Sequence, residues 1–153
     1  MKKYYAMTFG DEERAGRYYF EVEMDDISEF GLIECDGTGI QHDEYEPDQL
    51  IPIYAFELEF DEDENGEWVP ANSDSEELTE EQFNSIETIY NNAVDSIMAT
   101  GYVKYRRDIE DIKLSDLKWT IDEKKPGWEL SKKVAEILEK AFDDIESAES
   151  EDI

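Results

Sequence analysis

The sequence predicts an α+β domain, an antiparallel sheet of about four to six strands packed against two helices at about residues 79–100 and 127–146. Two observations carry this. Apolar residues alternate with a period of two through much of the first 60 positions, then recur at helical spacing in two later segments. Strands first and helices later is the order of a domain whose helices lie against one side of an antiparallel sheet. A core is available despite 37% charged residues, because 39% of the 153 residues are hydrophobic and 12% aromatic.

Residues 3–9 set Tyr5, Met7 and Phe9 on one face. Residues 17–24 set Tyr18, Phe20, Val22 and Met24 on one face and Arg17, Tyr19, Glu21 and Glu23 on the other. Joined through Gly10–Gly16, they form a hairpin with one buried and one wet, mostly acidic face. Gly31-Leu32-Ile33-Glu34-Cys35 reads as a short third strand, stopped by the turn-rich Asp36-Gly37-Thr38-Gly39. An acidic loop, Asp43-Glu44-Tyr45-Glu46-Pro47-Asp48, leads into the longest strand candidate, Ile51–Phe60. There Tyr54, Phe56, Leu58 and Phe60 point inward, and Glu57 and Glu59 outward.

Thr79-Glu80-Glu81-Gln82 is a capping box, and Leu78 with Phe83 is a hydrophobic staple, so a helix starts here. Phe83, Ile86, Tyr90, Ala93, Val94 and Ile97 form its apolar stripe, and Gly101 is its natural stop. Tyr102–Arg107 and Leu117–Ile121 read as two further strands. Pro126-Gly127 opens the last helix, striped by Leu130, Val134, Ile137, Leu138, Ala141 and Ile145. Residues 1–146 form one domain, and 147–153 an acidic tail expected to fray.

Charge dominates the functional reading. With 43 Asp+Glu against 14 Lys+Arg, the formal net charge is -29. Direct binding to DNA, RNA or anionic lipid is excluded as a main activity, because it needs Lys and Arg to neutralise phosphates. The imbalance is uneven: residues 1–100 carry 28 acids and 4 bases, and residues 101–153 carry 15 and 10. At one charge per ~1.7 Å, the net charge equals that of about 50 Å of duplex, in a domain about 40 Å across. Solubility alone asks for a magnitude of only about 2 to 8. Such a field suits docking on a basic groove, whose counterions it releases. The expectation is a non-enzymatic, DNA-mimic or immunity-type inhibitor of a basic protein, a nuclease or other nucleic-acid enzyme or a toxin. The competing expectation is an acidic surface that serves solvation alone.

The partner-binding candidates are Glu21, Glu23, Asp25 and Asp26 beside the second strand, and Asp43, Glu44, Tyr45, Glu46 and Asp48 in the acidic loop, followed by Glu57, Glu59 and the acidic run at 61–64. Tyr19, Tyr45 and Trp68 are the apolar anchors that such a face would use. A rival reading is a cation-dependent binding or structural module. Asp61-Glu62-Asp63-Glu64-Asn65-Gly66-Glu67 matches the opening of a calcium loop, with Asp61, Asp63, Asn65 and Glu67 as weak Ca2+ ligands. The match fails at the twelfth position, Asn72, and Pro70 interrupts it. The same residues also form a hairpin turn at Asn65-Gly66, the stronger short-range signal.

No enzyme signature emerges and no other cofactor is expected. One cysteine, Cys35, and one histidine, His42, exclude an internal disulfide and a Cys/His zinc site. The pair, spaced seven apart across a glycine-rich turn, is a weak nucleophile and base candidate. Lys104, Arg106 and Arg107 beside Tyr102 and Tyr105 are a lone basic island, expected to neutralise the protein's own carboxylates. Acidic residues at 11–13 cut off any leader-like apolar run, so the chain reads as cytoplasmic in a bacterial cell, a phage-encoded protein included.

Overall fold

The computed structural model describes residues 1–11 and 13–150. It contains strands β1 (Lys2–Phe9), β2 (Gly16–Glu23), β3 (Leu32–Asp43), β4 (Glu46–Glu62), β5 (Trp68–Pro70) and β6 (Ser75–Leu78), then helices α1 (Glu80–Ala99), α2 (Leu114–Asp122) and α3 (Trp128–Glu149). The α+β class is as the sequence predicts. All strand pairs are antiparallel, in the order β5-β4-β3-β2-β1-β6. The 71–74 segment draws the two edges together. The Ala71 N–H donates to the Glu59 carbonyl and the Thr8 N–H to the Asp74 carbonyl, each at 3.0 Å, so the sheet curls into a nearly closed barrel.

That curl gives the sheet two buried faces. Tyr5, Met7, Tyr18, Phe20, Val22, Cys35, Ile53, Leu58 and Phe60 fill the barrel interior. Tyr4, Ala6, Tyr19, Ile40, Leu50 and Leu78 point outward into a second core with the helices. The expected wet face of the first hairpin is therefore only half wet: Tyr19 is buried and its exposed neighbours begin at Glu21. Alternation shows that two faces differ, but an aromatic on the polar face leaves open which element covers it.

Asp36-Gly37-Thr38-Gly39 is not a stop, because β3 runs straight through it. A Cβ on Gly39 would collide with the Tyr18 ring and one on Gly37 with the Tyr19 carbonyl, so these glycines let β3 close against β2 inside a tight curl. The turn comes later, at Glu44-Tyr45, where both residues have positive φ, 48° and 74°. This is the two-residue hairpin geometry whose twist matches its strands.

β4 carries a bulge. Cys35 pairs with Phe56 but Gly37 with Ile53, and Ala55 sits at φ 50°. The bulge reverses the facing: Ile51 and Ile53 point inward before it, and Phe56, Leu58 and Phe60 after it. Tyr54, expected inward, is thereby 76% exposed.

The capping box of α1 is present in both directions, Thr79 with Gln82, and Gly101 ends the helix at φ 80°. Leu117–Ile121 is not a strand but the body of α2, where Leu114, Leu117 and Ile121 share a helical face on the outer core. Leu117, Trp119 and Ile121 alternate with Lys118 and Thr120, but five residues are too few to separate a period of two from a helical one. Likewise, Tyr102–Arg107 lies in a loop and a 3-10 turn, Arg106–Asp111. The last helix runs past 146 into the first residues of the expected tail. It continues to Glu149, whose carboxylate accepts from Arg17 Nε and the Tyr19 hydroxyl, each at 2.8 Å. Residues 151–153 of the expected tail lie outside the described residues. No helix among the described residues is long and apolar enough to cross a membrane.

Two expected outcomes follow from these contacts. Asp48, 5% exposed, accepts from the Ser115 N–H at 2.8 Å and so caps α2, whose own N-cap, Lys113, offers no side-chain bond. Asp48→Ala is expected to lower stability by about 1–2 kcal/mol in urea unfolding, and an unchanged midpoint would contradict this cap. Burial pushes the hydroxyls of Tyr5 and Tyr90 up to about 12. In the unfolded chain they ionise near 10. Their share of stability is thus complete below pH 10 and lost as pH climbs toward 12. The thermal midpoint is expected to fall steadily over that interval.

Candidate interaction surface

The helices cover only part of the outer sheet face. Tyr4, Ala6, Tyr19, Ile40 and Leu50 lie under them. Beyond these, the outward positions of β2, β3 and β4 turn acidic: Glu21, then Glu34 and Asp36, then Glu57 and Glu59. Register sets Glu34 directly opposite Glu57 on adjacent strands. Residues so placed have Cβ atoms about 5 Å apart, and like charges there are destabilising. Glu23 and Asp26 join the group around a hollow also lined by Glu21, Glu34 and Asp36. Lys2 is the cation of that hollow, with Nζ 3.3 Å from Glu21.

Of the sequence candidates, Glu21, Glu23, Asp26, Glu57 and Glu59 thus share or border one face. Asp25 is exposed beside them, but it and Glu23 each hold the Met1 ammonium at 2.7 Å. That hydrogen bond and charge lower the Asp25 pKa. Glu34 and Asp36 belong to the face without being among those candidates, and Asp36 reads as part of a turn where β3 in fact continues. The alternation Ile33, Glu34, Cys35, Asp36 was the available signal.

Asp43, Glu44, Tyr45 and Glu46 form a separate site, the exposed β3–β4 hairpin tip. Seven residues of extended strand, about 23 Å, separate Asp36 from Asp43. Tyr45, 97% exposed, is the tip's unsupported aromatic. Asp48 is not exposed with them but buried as the cap of α2. Tyr19 is spent on Glu149, and Trp68 packs against the barrel core, so neither serves as an exposed anchor.

A cleft of about 400 Å³ marks the boundary between helices and bare sheet. Its floor is β3 and β4, with Thr38 and Pro52, and its far wall is α1, with Phe83, Glu87 and Tyr90. Glu21, Asp36 and the exposed Tyr54 stand on the acidic side, and Arg106 and Arg107 at the other. Thr38 faces the helices with its register partners Tyr19 and Pro52. It is 8% exposed, and its Oγ1 is buried with no hydrogen-bond partner. Desolvation, then the Glu21 charge, raise the Glu87 pKa above its ordinary 4.5. Arg106 is engaged by Asp95 at 2.9 Å and by Asn91, and Arg107 lies over the Tyr105 ring at 5.0 Å. The basic island is thus a loop whose charges meet the protein's own groups. A larger hollow, about 810 Å³, runs along α1 past Glu80, Glu81, Asn84 and Thr88, with no unpartnered buried polar atom.

The 61–67 segment is a hairpin turn flanked by β4 and β5, with Glu62 opposite Trp68 and Gly66 at φ 76°. Asp63 Oδ1 accepts from the Asn65 N–H at 2.8 Å and the Glu67 N–H at 2.9 Å, so it organises the turn. Asp61, at the end of β4, pairs with Val69. Among the described residues no group of three or more His, Cys, Asp or Glu is assembled to hold a metal ion. Cys35 and His42 do not meet across a turn. They lie seven residues apart along β3, with Cys35 in the barrel core, its thiol pushed up to about 11 by burial. Burial also lowers the His42 pKa.

No protein-family model, curated protein or solved structure matches this chain.

Proposed function

We propose that the protein is a non-enzymatic inhibitor that lays its bare acidic sheet face on the basic nucleic-acid channel of a partner, a nuclease or another nucleic-acid enzyme. The observation that supports this most is the Glu34–Glu57 pair, set in register on the part of the sheet that no helix covers and flanked by Glu21, Asp26, Asp36 and Glu59. A fold gains nothing from opposed carboxylates on adjacent strands, whereas a basic groove meets them as it meets phosphates. Strand spacing of about 4.8 Å and residue pairs of about 6.6 Å along each strand give the face a regular anionic grid. Rigidity suits the role, because the barrel beneath holds the backbone of that grid, so only the side chains need ordering on docking.

The test is a partner isolated on the immobilised protein at about 50 mM salt, released at about 500 mM, then assayed for nucleic acid binding. Screening lengths of about 14 and 4 Å separate electrostatic capture from apolar contact at those two salts. The reading expects a basic nucleic-acid enzyme whose duplex DNA or RNA binding is competed by the protein at equimolar amounts. A captured partner that keeps its nucleic acid affinity in the protein's presence contradicts it.

A further inference from the structure

The cleft between the sheet and α1 combines three features seen together nowhere else among the described residues. A buried hydroxyl, Thr38 Oγ1, has no hydrogen-bond partner. Carboxylates approach from both walls, Glu21 and Asp36 from the sheet and Glu87 from α1, while tyrosine rings, Tyr54 and Tyr90, line the same space. An unpartnered buried hydroxyl costs free energy that a bound donor would recover.

We propose that this cleft receives an arginine side chain of the partner, its guanidinium bonded to Glu87 and Glu21, with a small shift of the Thr38 side chain opening its buried Oγ1 to accept a third hydrogen bond. This deepens the inhibitor reading and rests on it for the identity of the bearer. Chemistry selects the group. A guanidinium presents five N–H donors in a plane, pairs with carboxylates and stacks on aromatic rings, which is what two walls of acid and tyrosine offer. An anion is disfavoured, because the two cations at the rim are already engaged, Arg106 by Asp95 and Asn91 and Arg107 by the Tyr105 ring. Lys2 meets Glu21 at 3.3 Å, and among the described residues no cation pairs with Glu87. The desolvation that raises the Glu87 pKa is relieved when a cation seats beside it. Position completes the case, since the cleft borders the acidic face and so serves as an anchor point for a partner docking there.

The test uses NMR shift mapping of the intact protein with three probes: acetyl-arginine amide, its neutral isostere acetyl-citrulline amide, and acetyl-glutamate amide. The arginine probe is expected to shift Thr38, Tyr54, Glu87 and Tyr90 with a dissociation constant on the order of 1–10 mM, a range suited to so few atoms. Citrulline is expected to bind at least about tenfold more weakly. Glu87→Gln weakens the arginine probe by about tenfold. Thr38→Val weakens it by about threefold while raising the thermal midpoint by about 2–4 °C, because an unpaired buried hydroxyl is removed. The inference is overturned by equal shifts with citrulline, by preference for glutamate, by shifts spread evenly over the acidic surface, or by unchanged binding in both variants. A Glu34→Gln/Glu57→Gln/Glu59→Gln protein keeps the cleft, so its arginine-probe affinity should stay within twofold. Loss of partner binding in that protein with the probe affinity retained separates the sheet face from the cleft.

Discussion

Glu149→Ala is expected to lower stability by about 3 kcal/mol, a fall of roughly 6–12 °C in the thermal midpoint at this size. The residue is the last of α3, where a substitution ordinarily costs almost nothing. Here it closes the structure. Its side chain is 13% exposed and meets that of Arg17, 16% exposed, with the guanidinium also bonded to Thr8 at 2.7 Å. The same carboxylate accepts from the Tyr19 hydroxyl, while Gln82 Nε2 donates to the Glu149 carbonyl at 2.9 Å. One residue thus pins the end of α3 to β2 and to the first turn of α1. Its removal leaves a largely buried guanidinium and a buried phenol short of their acceptor. Asp74 and Glu76, at 3.5 and 3.7 Å from Arg17, recover part of the loss, which is why the estimate sits at the low end for a broken buried pair. Arg17→Met is expected to cost a similar amount. The double variant Arg17→Met/Glu149→Leu is expected to lose clearly less than the sum, because no charge is then stranded. Additive losses in urea unfolding would contradict the coupling.

That contact also shows where sequence pattern stops being informative. Local signals were read correctly: the Thr79–Gln82 box, the stripe from Phe83 to Ile97, the Gly101 stop and the alternation of the first two strands are each decided within one element. What escaped is decided between elements. Nothing near residue 149 announces Arg17, which is 132 positions away. Asp48 reads as one more acid in an acidic loop until α2 arrives to use it as a cap. Gly37 and Gly39 read as a turn because their lack of a side chain is explained only by the neighbouring strand that presses against them. The β4 bulge at Ala55 reverses the inward and outward positions, so Tyr54 was assigned to the wrong face while Leu58 and Phe60 were assigned to the right one. Leu117–Ile121 of α2 reads as a strand because its apolar residues alternate over five positions, too few to reveal the helical period.

The candidate surface was legible in part for the same reason. Net charge and its concentration in residues 1–100 point to an acidic face, and Glu21, Glu57 and Glu59 fall on it as alternation requires. Which acids stand together depends on register. Pairing brings Glu34 opposite Glu57, a relation between residues 23 apart that no local window contains. Asp43, Glu44 and Glu46 were grouped with the face although the strand carries them to its far end. The cleft at Thr38 was invisible, because its walls come from β3, β4 and α1 and its defining feature is a hydroxyl that lacks a partner.

The acidic face is expected to weaken the fold and carry the binding. In the variant Asp26→Asn/Glu34→Gln/Glu57→Gln/Glu59→Gln, four carboxylates go while the Asp48 cap, the Asp36 bond to the Ala55 N–H and the Glu149 anchor all remain. Removing the opposed Glu34–Glu57 pair and part of the surrounding repulsion is expected to raise stability by about 0.5–1 kcal/mol at low salt, with the gain fading as the screening length shrinks. Affinity for the captured partner is expected to fall by about 100-fold, since each lost contact in a complementary field is worth about 0.7 kcal/mol. The decisive comparison is with a second variant, Asp116→Asn/Glu123→Gln/Glu136→Gln/Glu146→Gln, which removes the same number of charges from exposed positions on and just after the helices. Partner affinity of the two variants, measured side by side at about 150 mM salt, tests the central claim most directly. Loss confined to the sheet-face variant, with the helix variant within threefold of the natural protein, is the predicted result. Equal losses in both would make the charge a diffuse property of the whole surface, and no loss in either would remove the acidic face from the binding altogether.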